Sequence, residues 1–202
     1  MISEKDFNQK KEDQNVSSKI VVGLQRISEA FKVLLWEKAK EFGLSPIQIQ
    51  ILLFIANHKA AYCNVSYLAK EFNVTKPTIS DAIKALEKKE MIVKDYSSSD
   101  NRSYTILLSE TGKNTVLKNE DFVNPIHKEI KNISAKEQEN LFSTLSSLIY
   151  KLNKQGILTV QRTCFACQFY SKENKKHHCN LLQKELLNSE IRLDCNEFEN
   201  AL

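Results

Sequence analysis

A mainly α-helical chain, with one short β-hairpin in its middle and a small cysteine-rich end, is what this sequence predicts. Three observations carry that expectation. Apolar residues recur at spacings of three and four over much of residues 20–152. The chain holds only 4 Gly and 3 Pro, which leaves few turns and argues against a β-sandwich. Four of its five cysteines fall within residues 164–195, after the helical pattern has ended.

The elements follow in order. Ile20, Leu24, Ile27, Phe31 and Leu34 or Leu35 give an amphipathic helix over 20–41. Ser45, Pro46 and Gln48 start a second helix as N-cap, N1 and N3; it carries Ile47, Ile51, Leu52 and Ile55. Val65 to Phe72 allows one or two turns. Thr75 caps a fourth helix that runs to about Lys89, with Ile79, Ile83 and Leu86 as its stripe. The period then changes. Met91–Val93 and Tyr104–Leu108 read as strands on either side of a polar loop, DYSSSDNRS, too long for a two-residue turn. A helix over 112–131 is kinked or broken by Pro125. Ser134 and Glu137 form a capping box for the last long helix, whose stripe runs from Leu141 to Leu152. LLQKELLNSEIR reads as a further short helix between the third and fourth of the clustered cysteines.

Composition narrows the function classes. At 202 residues, with 42% hydrophobic and 27% charged residues, the chain has the make-up of a folded domain with an appendage. A formal charge of +4 and a pI of 8.7 permit a nucleic-acid partner without demanding one. The sequence has no apolar run long enough to span a membrane, and its polar start has no secretory character, so a cytoplasmic protein without membrane contact is expected. Phosphate-cradling glycine loops, GxSxG and HExxH are absent. No enzymatic activity is expected. Residues 1–17 read as a flexible tail, 18–153 as the main domain and 154–202 as a cysteine-rich extension.

The order helix, helix, helix, helix, hairpin is that of a winged helix-turn-helix. A short helix packs across a longer one through Leu68, Val74, Ile79 and Ile83, and the longer one offers a polar face to a major groove. Lys76, Thr78, Ser80, Asp81 and Lys84 lie on or near that face, the lysines suited to phosphates and the hydroxyls to phosphates or base edges. Arg102, in the hairpin loop, can enter an adjacent minor groove.

Three stretches carry a resemblance: LSPIQIQILLFI at 44–55, VSYLAKEFNVTKPTISDAIKALEKKEMIVK at 65–94 and DNRSYTILLSETGK at 100–113. The last has an Asp, an Arg two residues later, then a strand ending in Leu-Ser and a Gly. Together they resemble the MarR family of bacterial regulators. The resemblance covers roughly residues 18–153 and implies a recognition helix at 76–89 that reads double-stranded DNA. It further implies that Arg102 is the wing tip and that Asp100 orients it. It makes the helices at 20–41, 112–131 and 134–152 the interface of a homodimer on a pseudo-palindromic operator, and it implies a repressor that answers to a small-molecule or redox effector. The chain departs from the family at Glu90, where a Gly commonly ends the recognition helix. It departs also in charge, with six Lys or Arg against five Asp or Glu over 76–104, a weak electrostatic footprint.

The extension lies outside that resemblance. Its spacing is Cys-x2-Cys-x11-Cys-x15-Cys, through Cys164, Cys167, Cys179 and Cys195, with His177 and His178 as alternate ligands. A Cys-x2-Cys turn lets two sulfurs face one ion, and later ligands complete a tetrahedron. Zinc is the preferred cofactor. A 4Fe–4S iron–sulfur cluster fits four thiolates equally well, and spacing does not separate the two. A reducing cytoplasm disfavours disulfides. Cys63 stands apart and reads as a small, semi-buried core residue. Two rival functions remain: a winged-helix protein-interaction module with a structural zinc site, and a metal- or redox-dependent enzyme built on the Cys/His cluster.

Overall fold

The computed structural model describes residues 15–97, 104–118, 121–174 and 176–201. Nearly all of the expected tail precedes them. The first helix, α1 (Val16–Glu41), starts earlier than its apolar stripe because the Asn15 side chain caps the amide of Ser17. α2 (Pro46–Asn57) begins where Ser45 and Gln48 predict, the Gln48 amide oxygen accepting from the Ser45 backbone at 2.9 Å. α3 (Val65–Glu71) is capped by Asn64 and α4 (Lys76–Lys88) by Thr75. Between them Asn73 takes a positive φ of 52°, a conformation that Asn tolerates better than most residues.

The hairpin is antiparallel, β1 (Ile92–Asp95) against β2 (Thr105–Leu108), with Ile92 opposite Leu108 and Asp95 opposite Thr105. The helix expected over 112–131, kinked or broken by Pro125, is two, α5 (Glu110–Leu117) and α6 (Asn124–Lys131). Pro125 stands in the first turn of α6, where a missing N–H costs nothing. α7 (Ala135–Lys154) carries the expected Ser134–Glu137 capping box.

The core is built around α2. Ile51, Leu52, Leu68, Ile79, Ile83, Leu86, Ile92 and Ile106 are all 2% exposed or less and form one cluster with Leu35 and Ala39 of α1 and Val116 of α5. By contrast Val16, Ile20, Val21, Ile27, Phe31 and Trp36 of α1 and Leu141 of α7 stand exposed.

After α7 the chain turns back at Gly156, φ 74°, and builds a second, smaller unit. It has a 3-10 turn at Cys164–Ala166 and a three-stranded sheet in the order β3 (Tyr170–Glu173), β4 (Lys176–Cys179), β5 (Lys184–Leu186). The helix expected over LLQKELLNSEIR does not form. Gln183 turns at φ 51°, 184–186 pair with β4, and a single 3-10 turn follows at Asn188–Glu190. A helix there would have presented a leucine stripe with little to cover it. As a strand the segment buries Leu186, 6% exposed, while Leu181, Leu182 and Leu187 stay outside. Pairing with β4 overrides helix propensity. Cys164, Leu186 and Ile191 form the small core, and Phe142 of α7 packs against it.

Two positions fix the hairpin's base. Glu90 holds φ 56°, the left-handed conformation a Gly would supply, so the turn that ends α4 is kept without the Gly. At Gly112 there is no room for a side chain: an added Cβ would sit 2.0 Å from the Met91 carbonyl oxygen. Gly112→Ala is therefore expected to cost about 2–4 kcal/mol through forced displacement of packed backbone. Urea denaturation reads this directly, and an unchanged midpoint would refute the close approach.

Candidate nucleic-acid interface and cysteine cavity

α4 turns Ile79, Ala82, Ile83 and Leu86 inward and leaves Lys76, Thr78, Asp81 and Lys84 exposed, with Ser80 half-buried. Five sequence-predicted residues thus share one helix, on its outer side or at its edge. Their chemistry is not equivalent. The Thr75 side chain accepts from the Thr78 amide at 3.3 Å, and the two hydroxyls lie 2.8 Å apart, so Thr78 is held by the cap. Lys84 pairs with Asp81 at 3.3 Å, which offsets part of its charge. Among the described residues Lys76 has no ion-pair partner, and it sits at the positive end of the helix dipole, where a phosphate would be favoured. Lys94 pairs with Glu87 at 2.6 Å and Lys89 donates to the Gly43 carbonyl at 2.8 Å; these cations serve the fold. Asp100 and Arg102 lie outside the described residues.

The second site is in the appendage. Cys164, Cys167, Cys179 and Cys195 line one cavity of about 40 Å³, walled by Leu182 and Leu186. Cys164 and Cys167 come from the 3-10 turn, whose Cys167 amide donates to the Cys164 carbonyl at 3.0 Å. Cys179 closes β4, opposite Tyr170 of β3. Cys195 is brought in by a hydrogen bond that its backbone N–H donates to the Arg162 carbonyl at 3.0 Å. The Arg192 amide donates to Cys164 Sγ at 3.2 Å and its guanidinium to Cys195 Sγ at 3.7 Å. Burial pushes the Cys164 thiol up, and the Arg192 amide works against that rise. All four thiols are free, and among the described residues no three His, Cys, Asp or Glu side chains are already arranged to hold a metal ion. The alternate ligands are elsewhere. His177 is buried and its Nδ1 lies 2.6 Å from the Tyr170 hydroxyl, facing a separate pocket beside Phe142 and Tyr150. His178 Nδ1 meets Asn180 at 3.0 Å on the outer side. Neither lines the cysteine cavity.

Between the two sites lies a cluster that the sequence did not announce. Arg162 is 5% exposed. Its Nη1 donates to Glu71 at 2.7 Å and to the Tyr67 hydroxyl at 2.9 Å, and its Nη2 to Glu71 and to Asp194, each at 3.1 Å. Nε donates to the other Asp194 oxygen. Asp194 also meets His58 Nε2 at 2.9 Å, while His58 Nδ1 faces the Phe54 carbonyl at 2.8 Å and its ring stacks on Phe54. Burial opposes the charge on Arg162, but the bonds to Asp194, Glu71 and Tyr67 outweigh it and raise its pKa. Burial likewise opposes the Asp194 carboxylate, and Arg162 and His58 together hold it below the usual range. Arg162 and Glu71 are 91 positions apart, so no local pattern marks them as partners.

Residues 42–103 match the model of the MarR family. The match overlaps the stretches at 44–113 that carry the sequence resemblance. The crystal structure of an S. aureus MepR–DNA complex shares the fold at a TM-score of 0.57 and 22% identity, covering 65% of this chain and 97% of that one. The transcriptional regulator PA3341 gives 0.58 and 20%, over 67% and 98%. CouR from Rhodococcus jostii RHA1, solved with p-coumaroyl-CoA, gives 0.55 and 20%, over 67% and 94%. Comparison with curated protein sequences gives no match. About a third of this chain lies outside each structural match. Among the described residues no helix is long and apolar enough to cross a membrane.

Cys63 belongs to the core of this MarR-type fold. It is 1% exposed, its carbonyl accepts from the Ile106 amide of β2 at 2.8 Å, and its thiol reaches the Lys59 carbonyl at 3.5 Å. Burial pushes the thiol up to about 11, which leaves on the order of one thiolate in a thousand at pH 8. Cys63 is expected to resist iodoacetamide at pH 8 until the protein is unfolded. Mass mapping that finds it alkylated in native protein as fast as an exposed thiol would refute this burial.

Proposed function

We propose that the chain is a sequence-specific DNA-binding transcriptional regulator that acts as a homodimeric repressor and carries one zinc ion in its appendage. The observation that carries the reading is the polar, exposed start of α4, set against a hairpin wing on the MarR-type fold. Lys76 contacts phosphate; Thr78, Ser80, Asp81 and Lys84 line the groove face; Arg102, with Asp100, serves the wing. The exposed apolar residues of α1 and α7 are the surface a second copy would cover. A twofold pair of recognition helices then reads a pseudo-palindromic operator. MepR was solved with DNA and CouR with a coenzyme A thioester; these support a DNA partner and a small-molecule effector here.

The reading is tested by affinity against salt. The parent should lose affinity as salt rises, with a slope set by the few cations free on the assigned face. Lys76→Ala should weaken specific and random duplexes alike and reduce the salt slope by about one, and Arg102→Ala should remove a second charged contact. If both variants bind like the parent, the assigned face is wrong.

For the metal, the donor set is the argument. Four free thiols, two of them on one 3-10 turn, line a single small cavity, and a backbone N–H already donates to one sulfur. Cys164, Cys167, Cys179 and Cys195 would hold the ion, and bound zinc would supply folding energy to a unit whose own core is three buried residues. His177 and His178 line other pockets, which favours the four cysteines over them as the ligand set. One zinc per chain is expected in anaerobically purified protein, and none in the Cys164→Ser, Cys167→Ser double variant. Brown protein containing iron and sulfide would replace zinc with an iron–sulfur cluster; protein that takes up neither after reconstitution would end the metal reading.

A further inference from the structure

The appendage is joined to the helix-turn-helix by polar contacts, and these converge on two segments that also deliver cysteines. Arg162 lies two residues before Cys164, and Asp194 immediately precedes Cys195. The two segments are bound to each other by two backbone hydrogen bonds: the Cys195 amide donates to the Arg162 carbonyl and the Cys164 amide to the Arg192 carbonyl, each at 3.0 Å. On the other side, the Arg162 guanidinium grips Glu71 and Tyr67 of α3, and Asp194 grips His58 at the end of α2. Flanking contacts run the same way. Thr159 Oγ1 donates to the Lys70 carbonyl at 2.6 Å, and Lys59 pairs with Glu197 at 2.6 Å.

α3 is the helix that supports the recognition helix. Its Leu68 is fully buried in the same cluster as Ile79 and Ile83 of α4. A displacement at residues 162 and 194 therefore has a short path to the DNA face: one guanidinium, one carboxylate, one helix. The direction also follows. The MarR-type lobe has its own core, so the clasp is not what folds α3; it is what restrains it. A restrained helix pair binds a rigid duplex with less ordering cost than a loose one.

We infer that Arg162, Glu71 and Asp194 form a clasp through which metal occupancy of the four-cysteine cavity sets the order of α3 and, through it, DNA affinity. This rests on the proposed zinc site and deepens it. Zinc fixes Cys164 and Cys195, these fix the segments that bear Arg162 and Asp194, and the clasp carries that constraint to α3. Removal of zinc frees the segments and loosens α3. Glu71, Arg162 and Asp194 are positioning residues; none of them touches DNA or metal in this scheme.

The test uses full-length parent and Glu71→Ala, each zinc-loaded and zinc-stripped, with the zinc content of every sample measured. Glu71 is remote from the cysteines in sequence, so the variant should still take up one zinc. The first readout is amide hydrogen exchange over residues 65–71. Zinc should slow exchange there about tenfold in the parent and have no effect in Glu71→Ala. The second is anisotropy on a duplex selected from a random pool by the zinc-loaded parent. Stripping should weaken the parent about tenfold, within the usual range of coupling between sites, and should not weaken Glu71→Ala further. A purely structural role would lower affinity with and without zinc by the same factor and leave the ratio intact. That outcome, or exchange in α3 that ignores zinc in the parent, overturns the clasp while leaving the zinc site standing. Parent protein that binds no zinc removes the site and the clasp together. If Glu71→Ala does not fold, Glu71→Gln, which keeps one hydrogen bond and loses the charge, is read by the same ratios.

Discussion

A guanidinium held out of water constrains how the two parts of this molecule sit. Taking Arg162 into the protein costs several kcal/mol unless its donors are met, and removing one partner of such a group typically costs about 3–5 kcal/mol. Here Nε, Nη1 and Nη2 all donate, to Glu71, Asp194 and the Tyr67 hydroxyl. Glu71 is well shielded. Asp194 is about half exposed, so water screens its contribution and it acts more through geometry than through energy. The planar fork of Arg suits this task, since a lysine ammonium could not bridge two carboxylates and a phenol in fixed directions. The appendage can therefore dock in few orientations other than the one seen.

The winged lobe is fixed by a different logic, that of close apolar packing with two backbone exceptions. Ile79, Ile83 and Leu86 seat α4 against Leu68 and the residues of α2. The wing is tied at its base twice, by the Ser109 amide on the Met91 carbonyl and by the Ile106 amide on the carbonyl of Cys63. The first tie draws Met91 so near α5 that only a glycine fits at 112. Cys63 carries no reactive signature because burial among large apolar residues pushes its thiol up. These ties fix the hairpin at its base.

Free positive charge on and beside α4 is sparse, because Lys84 pairs with Asp81 and Lys94 of β1 pairs with Glu87. A surface with so few unpaired cations gains little from counterion release. In the proposed reading, affinity for DNA comes from well-placed contacts on a well-ordered helix pair, and ordering is what the proposed clasp controls, by mechanics rather than by proximity.

The sequence by itself determined the helices with clear caps and stripes. Ser45 with Gln48, Thr75 and Ser134 with Glu137 start helices where their local chemistry requires, because a cap is satisfied by atoms three residues away. It also determined that Lys76, Thr78, Asp81 and Lys84 share the outer side of one helix and that four cysteines belong to one unit, since periodicity and spacing are local quantities. Tertiary structure decided the rest. The segment 180–191 has leucines enough for a helix and becomes a strand and a turn, because β4 offers it backbone partners and the unit has too little apolar surface to cover a helical stripe. His177 and His178 adjoin Cys179 in sequence, yet they face other pockets, because the direction of each side chain was set by pairing with β3 and β5. Arg162, Glu71, His58 and Asp194 have no local signature at all. Their meaning depends on which distant segments the fold brings within hydrogen-bond reach, and a burial that costs several kcal/mol is visible only once the partners that offset it are in place.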